Sequence, residues 1–157
     1  MAAGRFMFYT SALKYMMMGR INLQGGTIMA LPLHDNYSPS TASHSALAQL
    51  TSFQATASAT IVNAIALTSL VVTQSGVATA KFDAADIAGF SSDGSTIGSF
   101  KYLALYEQSA SSGGGVDNLL IGFLDMDSAD ASASAGNATQ VNVTWNSGGI
   151  AKLRGNP

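Results

Sequence analysis

Cysteine is absent from the 157 residues, which excludes a disulfide framework, a thiolate metal site and a cysteine nucleophile while leaving the compartment open. Charge is also scarce. Asp, Glu, Lys and Arg make up 10% of the chain, against roughly 25% in ordinary globular proteins. The seven basic residues are scattered from Arg5 to Arg154 and the net charge is −2. No basic stripe follows a phosphate backbone, and nucleic-acid binding is not expected. No apolar run reaches the roughly 18 residues of a membrane-spanning helix. The N-terminal FMFYTSALKYMMMG is interrupted by Thr10, Ser11 and Lys14. No small-x-small cleavage site follows it, so it is read as part of the mature protein and not as an anchor.

Imidazole is limited to His34 and His44. Their neighbours, in His34-Asp35 and Ser43-His44-Ser45, are triad members by type. Adjacent residues rarely supply triad geometry, however, so both are expected to be loop histidines. No GxSxG elbow, phosphate-binding glycine loop or HExxH motif is present. Asp117, Asp125, Asp127 and Asp130 form one acidic concentration, but without the glycine and terminal glutamate of an EF-hand loop. A solvated strand end is expected, with no metal site. Asp83 and Asp86 have the spacing of turn and cap hydrogen bonds more than that of a glycosidase carboxylate pair. The Asn137 and Asn142 acceptor patterns matter only in a secreted context. No enzyme activity and no cofactor are expected.

What the chain does contain is alternation. Val77, Thr79 and Lys81 alternate with Ala78, Ala80 and Phe82, and Phe100 to Glu107 alternate in the same way, the period of β-strands. The intervening DAADIAGFSSDGS reads as a turn-rich connection. Leu119–Leu124 reads as a buried strand, and Val141, Val143 and Trp145 share one face of another. Tyr102, Tyr106 and Trp145 are expected in the core more than on a ligand platform. Ile21–Leu33 reads as strand, Gly25-Gly26 turn, strand, and Pro32 should end that strand or lie at a sheet edge. Residues 51–74 are ambiguous; strands near 54–59 and 67–74 are favoured over a buried helix at 59–67. Residues 34–45 form a polar loop, and Ser45 is placed to cap one helical turn over 46–50. SASSGGGVDN reads as a flexible linker.

Phe8–Met18 predicts a short helix ending at Gly19. The expected whole is all-β. It is a single-domain antiparallel β-sandwich of jelly-roll type over residues 21–157, carrying a short N-terminal helix or arm over residues 1–20. So little surface charge, with so many small residues and methionines, suits a protein whose apolar faces are covered by assembly.

The segments FDAADIAGFSSDGSTIGSFKYLALYEQ, LLIGFLDM and QVNVTWNSGGIAKL resemble a family of small structural proteins of tailed-bacteriophage virions. That family shows an Asp-x-x-Asp element after a strand, a sequence like ITARYAVLY, a strand leading to an Asp, and a closing ITWNxxGILxL. Asp83 and Asp86, Phe100–Tyr106, Ile121–Asp125 and Val143–Leu153 stand at the matching places. The opening YTSALKYMMMGRINLQGGTIMALPLHDNYSPSTASH is similar to the family's GxIxLxxxxIKVALLxxxYxPxxxxH, while its GYxxGG element has no counterpart in ATASATIVNAIAL. The resemblance implies a capsid decoration or cement protein, a dimer or trimer bound outside the lattice of the major capsid protein on the virion. A tail, neck or fibre-base component is the alternative, and a glycan-binding domain using Asp83, Asp86, Tyr102 and Trp145 a weaker one. Partner contacts are expected from Phe6, Phe8, Tyr9, Tyr15, Met16 and Met17 of the arm, and from His34, Tyr37 and His44 of the following loop.

Overall fold

A computed structural model of the chain describes residues 6–54, 56–57, 60–61, 64–91, 100–108, 118–126, 140–145 and 147–154. In chain order it forms β1 (Phe6–Phe8), helix α1 (Thr10–Met17), β2 (Thr27–His34) and two 3₁₀ turns (Leu47–Gln49 and Thr51–Phe53). Then come β3 (Thr56–Ala57), β4 (Thr60–Ile61), β5 (Ile65–Ala66), β6 (Val71–Gln74), β7 (Thr79–Asp83) and β8 (Ile87–Ser91). The chain closes with β9 (Phe100–Gln108), β10 (Leu119–Asp125), β11 (Gln140–Val143) and β12 (Ala151–Arg154). Every strand pairing is antiparallel, so the chain is all-β with one short helix.

The central sheet has the order β1-β10-β9-β2-β5. Residues 119–124 are all buried, as a strand covered on both faces must be, and such a strand reads as a continuous apolar run with no alternation. The register explains the two faces. Ala30, Leu105, Gly122 and Phe8 form one cross-strand row, and Leu31, Ala104, Phe123 and Met7 form the next, on the opposite face. Successive residues point to opposite sides of the sheet. The first face looks towards a three-stranded sheet, β12-β7-β6, where Phe8 lines a small apolar dimple with Phe82 and Leu153. That smaller sheet is amphipathic: Val72, Phe82 and Ala151 form one row, and Thr73, Lys81 and Lys152 form the neighbouring row on the other side. The second face is covered by α1 and the segment after β2, through ring contacts of Tyr9 with Phe123 and of Tyr37 with Tyr102.

Helix α1 ends as its sequence dictates. Gly19 takes φ +69°, Arg20 N–H donates to Tyr15 O at 2.8 Å and Gly19 N–H to Met16 O at 3.0 Å. This is the paired closure that a left-handed residue after the helix makes possible. The expected boundary between arm and domain at residue 20, however, falls inside the core. β1 is hydrogen-bonded to β10, and Tyr9 and Ala12 are fully buried.

Pro32 does not end its strand, which continues to His34. Ile28 O accepts from Leu67 N–H, so the backbone groups of Ile28, Ala30 and Pro32 face the β5 side. Among the described residues, β5 pairs with Met29 and Ala30. Pro32 therefore sits beyond the end of β5 and beside the isolated bridge of Leu33 to Gln54, where its missing N–H removes no bond of the β2–β5 ladder. The expected turn-only connection after Asp83 contains β8, because Ile87 and Phe90 bury their side chains. The buried helix weighed for 59–67 is replaced by β4 and β5. The Ser/Gly-rich linker and most of the acidic stretch lie outside the described residues, Asp117, Asp127 and Asp130 among them.

Candidate functional site

The segment from His34 to Phe53 is built onto the second face of the central sheet by a chain of polar contacts. His34 Nδ1 lies against the Asp35 carboxylate, and Tyr37 N–H donates to His34 O at 3.1 Å to close a turn. Thr10 N–H at the start of α1 donates to Thr41 O at 2.9 Å, and Leu120 N–H of β10 donates to Ser45 O at 3.0 Å. Gln49 then holds the 3₁₀ turn, its Oε1 accepting from Ser45 N–H at 2.7 Å and Ala46 N–H at 3.0 Å. The loop expected to present partner contacts is thus fastened at both ends to the sheet and the helix.

At its centre the hydroxyls of Tyr9 and Tyr37 lie 2.8 Å apart, and the Tyr37 hydroxyl is 2.7 Å from His44 Nδ1. The Tyr37 ring stacks on His44 at 5.5 Å and packs against Phe53 and Tyr102. Burial pushes the Tyr9 hydroxyl far up from its ordinary 10.0, with its bond to Tyr37 adding to the effect. Burial also raises Tyr37, against a smaller lowering from Tyr9. Both therefore keep their protons in the folded chain while the unfolded chain ionises near 10.0. The stability they contribute is complete below that value and is lost as the pH rises above it. Urea unfolding midpoints should accordingly fall steeply above about pH 10, more steeply than for Tyr37→Phe; parallel curves would show that Tyr37 is not part of the effect.

This geometry decides several candidate residues. Tyr9 and Tyr37 are 0% and 2% exposed, so they fix the arm and loop from inside and are not available as partner contacts in the folded chain. The sequence misses this because a Tyr in a polar loop carries no sign of where its ring turns. His44 is half-buried and takes Tyr37 as its partner, while Ser43 Oγ bonds Ser40 Oγ and Ser45 bonds Gln49. Neither serine flanking His44 is paired with it, and no triad forms there. Phe6 and Phe8 are half-buried in β1, edge-to-face at 4.9 Å. Tyr15 and Met16 are half-buried against the core, with Arg20 over the Tyr15 ring at 5.0 Å. Met17 alone among the arm candidates is fully presented, at 90% exposure. Met18, a residue not selected from the sequence, joins it at 59%, and Leu13 and Met7 follow.

The Asp83–Asp86 stretch is structural in its contacts. Asp83 accepts from Ala84 N–H at 3.0 Å and pairs with Lys81 at 3.0 Å. Asp86 accepts from Trp145 N–H at 2.9 Å, and the Trp145 indole N–H donates to Ala85 O at 2.9 Å. With Trp145 buried and Tyr102 packed on Phe123, these rings offer no flat platform for a sugar. Beside Asp86 lies an open cleft of about 320 Å³. Ile65 and Leu67 line it on the β5 side, and Ala85 to Gly89 at the start of β8 line the other. Gly89, one of the lining residues, has φ +143° where the β8–β11 register slips, the mark of a bulge in β8. Among the described residues no group of three or more His, Asp or Glu side chains is placed to hold a metal ion, and no helix is long and apolar enough to cross a membrane. No protein-family model, curated protein or solved structure matches this chain.

Proposed function

We propose that this chain is a many-copy structural protein of a tailed-bacteriophage virion, decorating the outside of the capsid by binding the major capsid protein and its own copies. The observation that carries the reading is the apolar surface of the N-terminal region. Met17 and the C-cap residue Met18 stand out at the end of α1, Leu13 lies one turn before Met17, and Met7 is exposed on β1, while Ala12 anchors the helix in the core. Exposed flexible methionines on a fixed element adapt to a partner surface and gain from being covered. The low charge of the chain and the sequence resemblance support the same reading. A subunit that binds only the assembled shell stabilises that shell by mass action.

The deciding experiment is a cryo-EM reconstruction of the intact particle that carries the protein, with its copies counted. Hundreds of copies over the shell are expected. A few to a few tens, confined to the tail or neck, would replace decoration with a connector or fibre-base role, and absence from the particle would end both readings.

A further inference from the structure

We infer that the methionine ridge of α1 docks into the cleft beside Asp86 of a second copy of this chain. The inference rests on the reading of the chain as a self-associating assembly protein and names the surfaces that meet. Leu13 and Met17, and Lys14 and Met18, are separated by one helical turn, so they form a single exposed face of α1. That face is apolar with a cationic margin, because Lys14 lies on it in the last helical turn and Arg20 follows it, placed over the Tyr15 ring.

The cleft is its complement in shape and sign. Ile65, Leu67, Ile87 and Ala88 give it apolar walls, and Asp86 is its one charged lining residue. At about 320 Å³ it has room for the ends of two methionine side chains. Asp86 already accepts Trp145 N–H, which orients the carboxylate and leaves acceptor capacity for an ammonium. Docking of the helix face into the cleft of another copy brings Lys14 towards Asp86, so the one charge of each surface meets its opposite. Helix and cleft are different patches, so a one-way contact is heterologous and closes as a ring or runs on as a filament, while a reciprocal exchange between two copies makes an isologous dimer.

Because the chain has no cysteine, the contact can be tested cleanly on the isolated full-length protein. Met17→Cys and Ala66→Cys, the latter at the exposed cleft rim, are mixed and treated with a short bifunctional maleimide. A cross-linked pair formed in the mixture and in neither single variant is the expected result. Cross-linking within either variant alone, or none at all, overturns the inference. Sedimentation velocity on the wild type gives an independent measurement. Concentration-dependent association is expected, weakened about tenfold or more by Met17→Glu through loss of a buried side chain. A wild-type monomer at all concentrations overturns the inference, and if that monomer still occupies the particle surface, the proposed function stands without it.

Discussion

Tyr37→Ala should lower the free energy of unfolding by about 3–5 kcal/mol, the cost of truncating a buried aromatic ring. The Tyr37 ring touches Phe53 at 5.2 Å, His44 at 5.5 Å and Tyr102 at 5.6 Å, so its removal opens a cavity between the loop and the central sheet. A domain of this size is stable by only about 5–15 kcal/mol, so the variant should be close to unfolding at physiological temperature. Tyr37→Phe keeps the ring and removes the hydroxyl shared with Tyr9 and His44. Tyr9 is then left fully buried without that partner, at a cost of about 1–3 kcal/mol. Urea melts of the two variants separate packing from hydrogen bonding. A loss below about 1 kcal/mol for Tyr37→Ala would mean that the loop closes over the sheet without this ring.

Gly122→Ala should release β1 from the central sheet. A Cβ on Gly122 would stand 2.5 Å from the carbonyl oxygen of Met7 and would press on the ring of Phe6. The ring can turn aside, but the carbonyl belongs to the backbone and moves only with its strand. Since β10 is the only strand paired with β1 among the described residues, detaching β1 relieves the overlap without breaking the rest of the sheet. The expected cost is that of an overpacked core site, about 1–3 kcal/mol. Amide hydrogen exchange reads it locally: residues 6–8 should lose protection while Leu103 and Leu105 keep theirs. Unchanged protection at residues 6–8 would show that strand and glycine can shift together.

The strands that alternate or run continuously apolar were legible from the sequence: β7, β9, β10, β11 and the second half of the Ile21–Leu33 segment. So was α1, because Gly19 supplies a local stop that needs no tertiary context. What was not legible depends on contacts distant in sequence. β8 lies in a segment rich in turn-forming residues, and only burial of Ile87 and Phe90 makes it a strand. Pro32 stays within β2 because its backbone lies between the end of β5 and the Leu33–Gln54 bridge, where no ladder bond needs its N–H, a fact absent from the neighbourhood of the proline itself. In the candidate site, Met17 was legible as an exposed residue of a methionine-rich helix. Tyr9 and Tyr37 were not legible as core residues, since their burial is settled by Phe123 and Tyr102 on strands far along the chain. The Asp86 cleft gave no sequence signal, because its walls come from two separate segments and its residue types are those of any strand edge.

The hold on Trp145 has a consequence for how the chain can vary. Its backbone N–H on Asp86 and its indole N–H on Ala85 O act as a clasp between positions 59 and 60 residues apart. Everything from β9 through β10 runs between the two halves of that clasp. Closing a longer loop costs only about 0.6 kcal/mol for each doubling of its length. Chain length added between the two halves of the clasp therefore loads it lightly, so the hold on Trp145 depends little on how much chain it encloses.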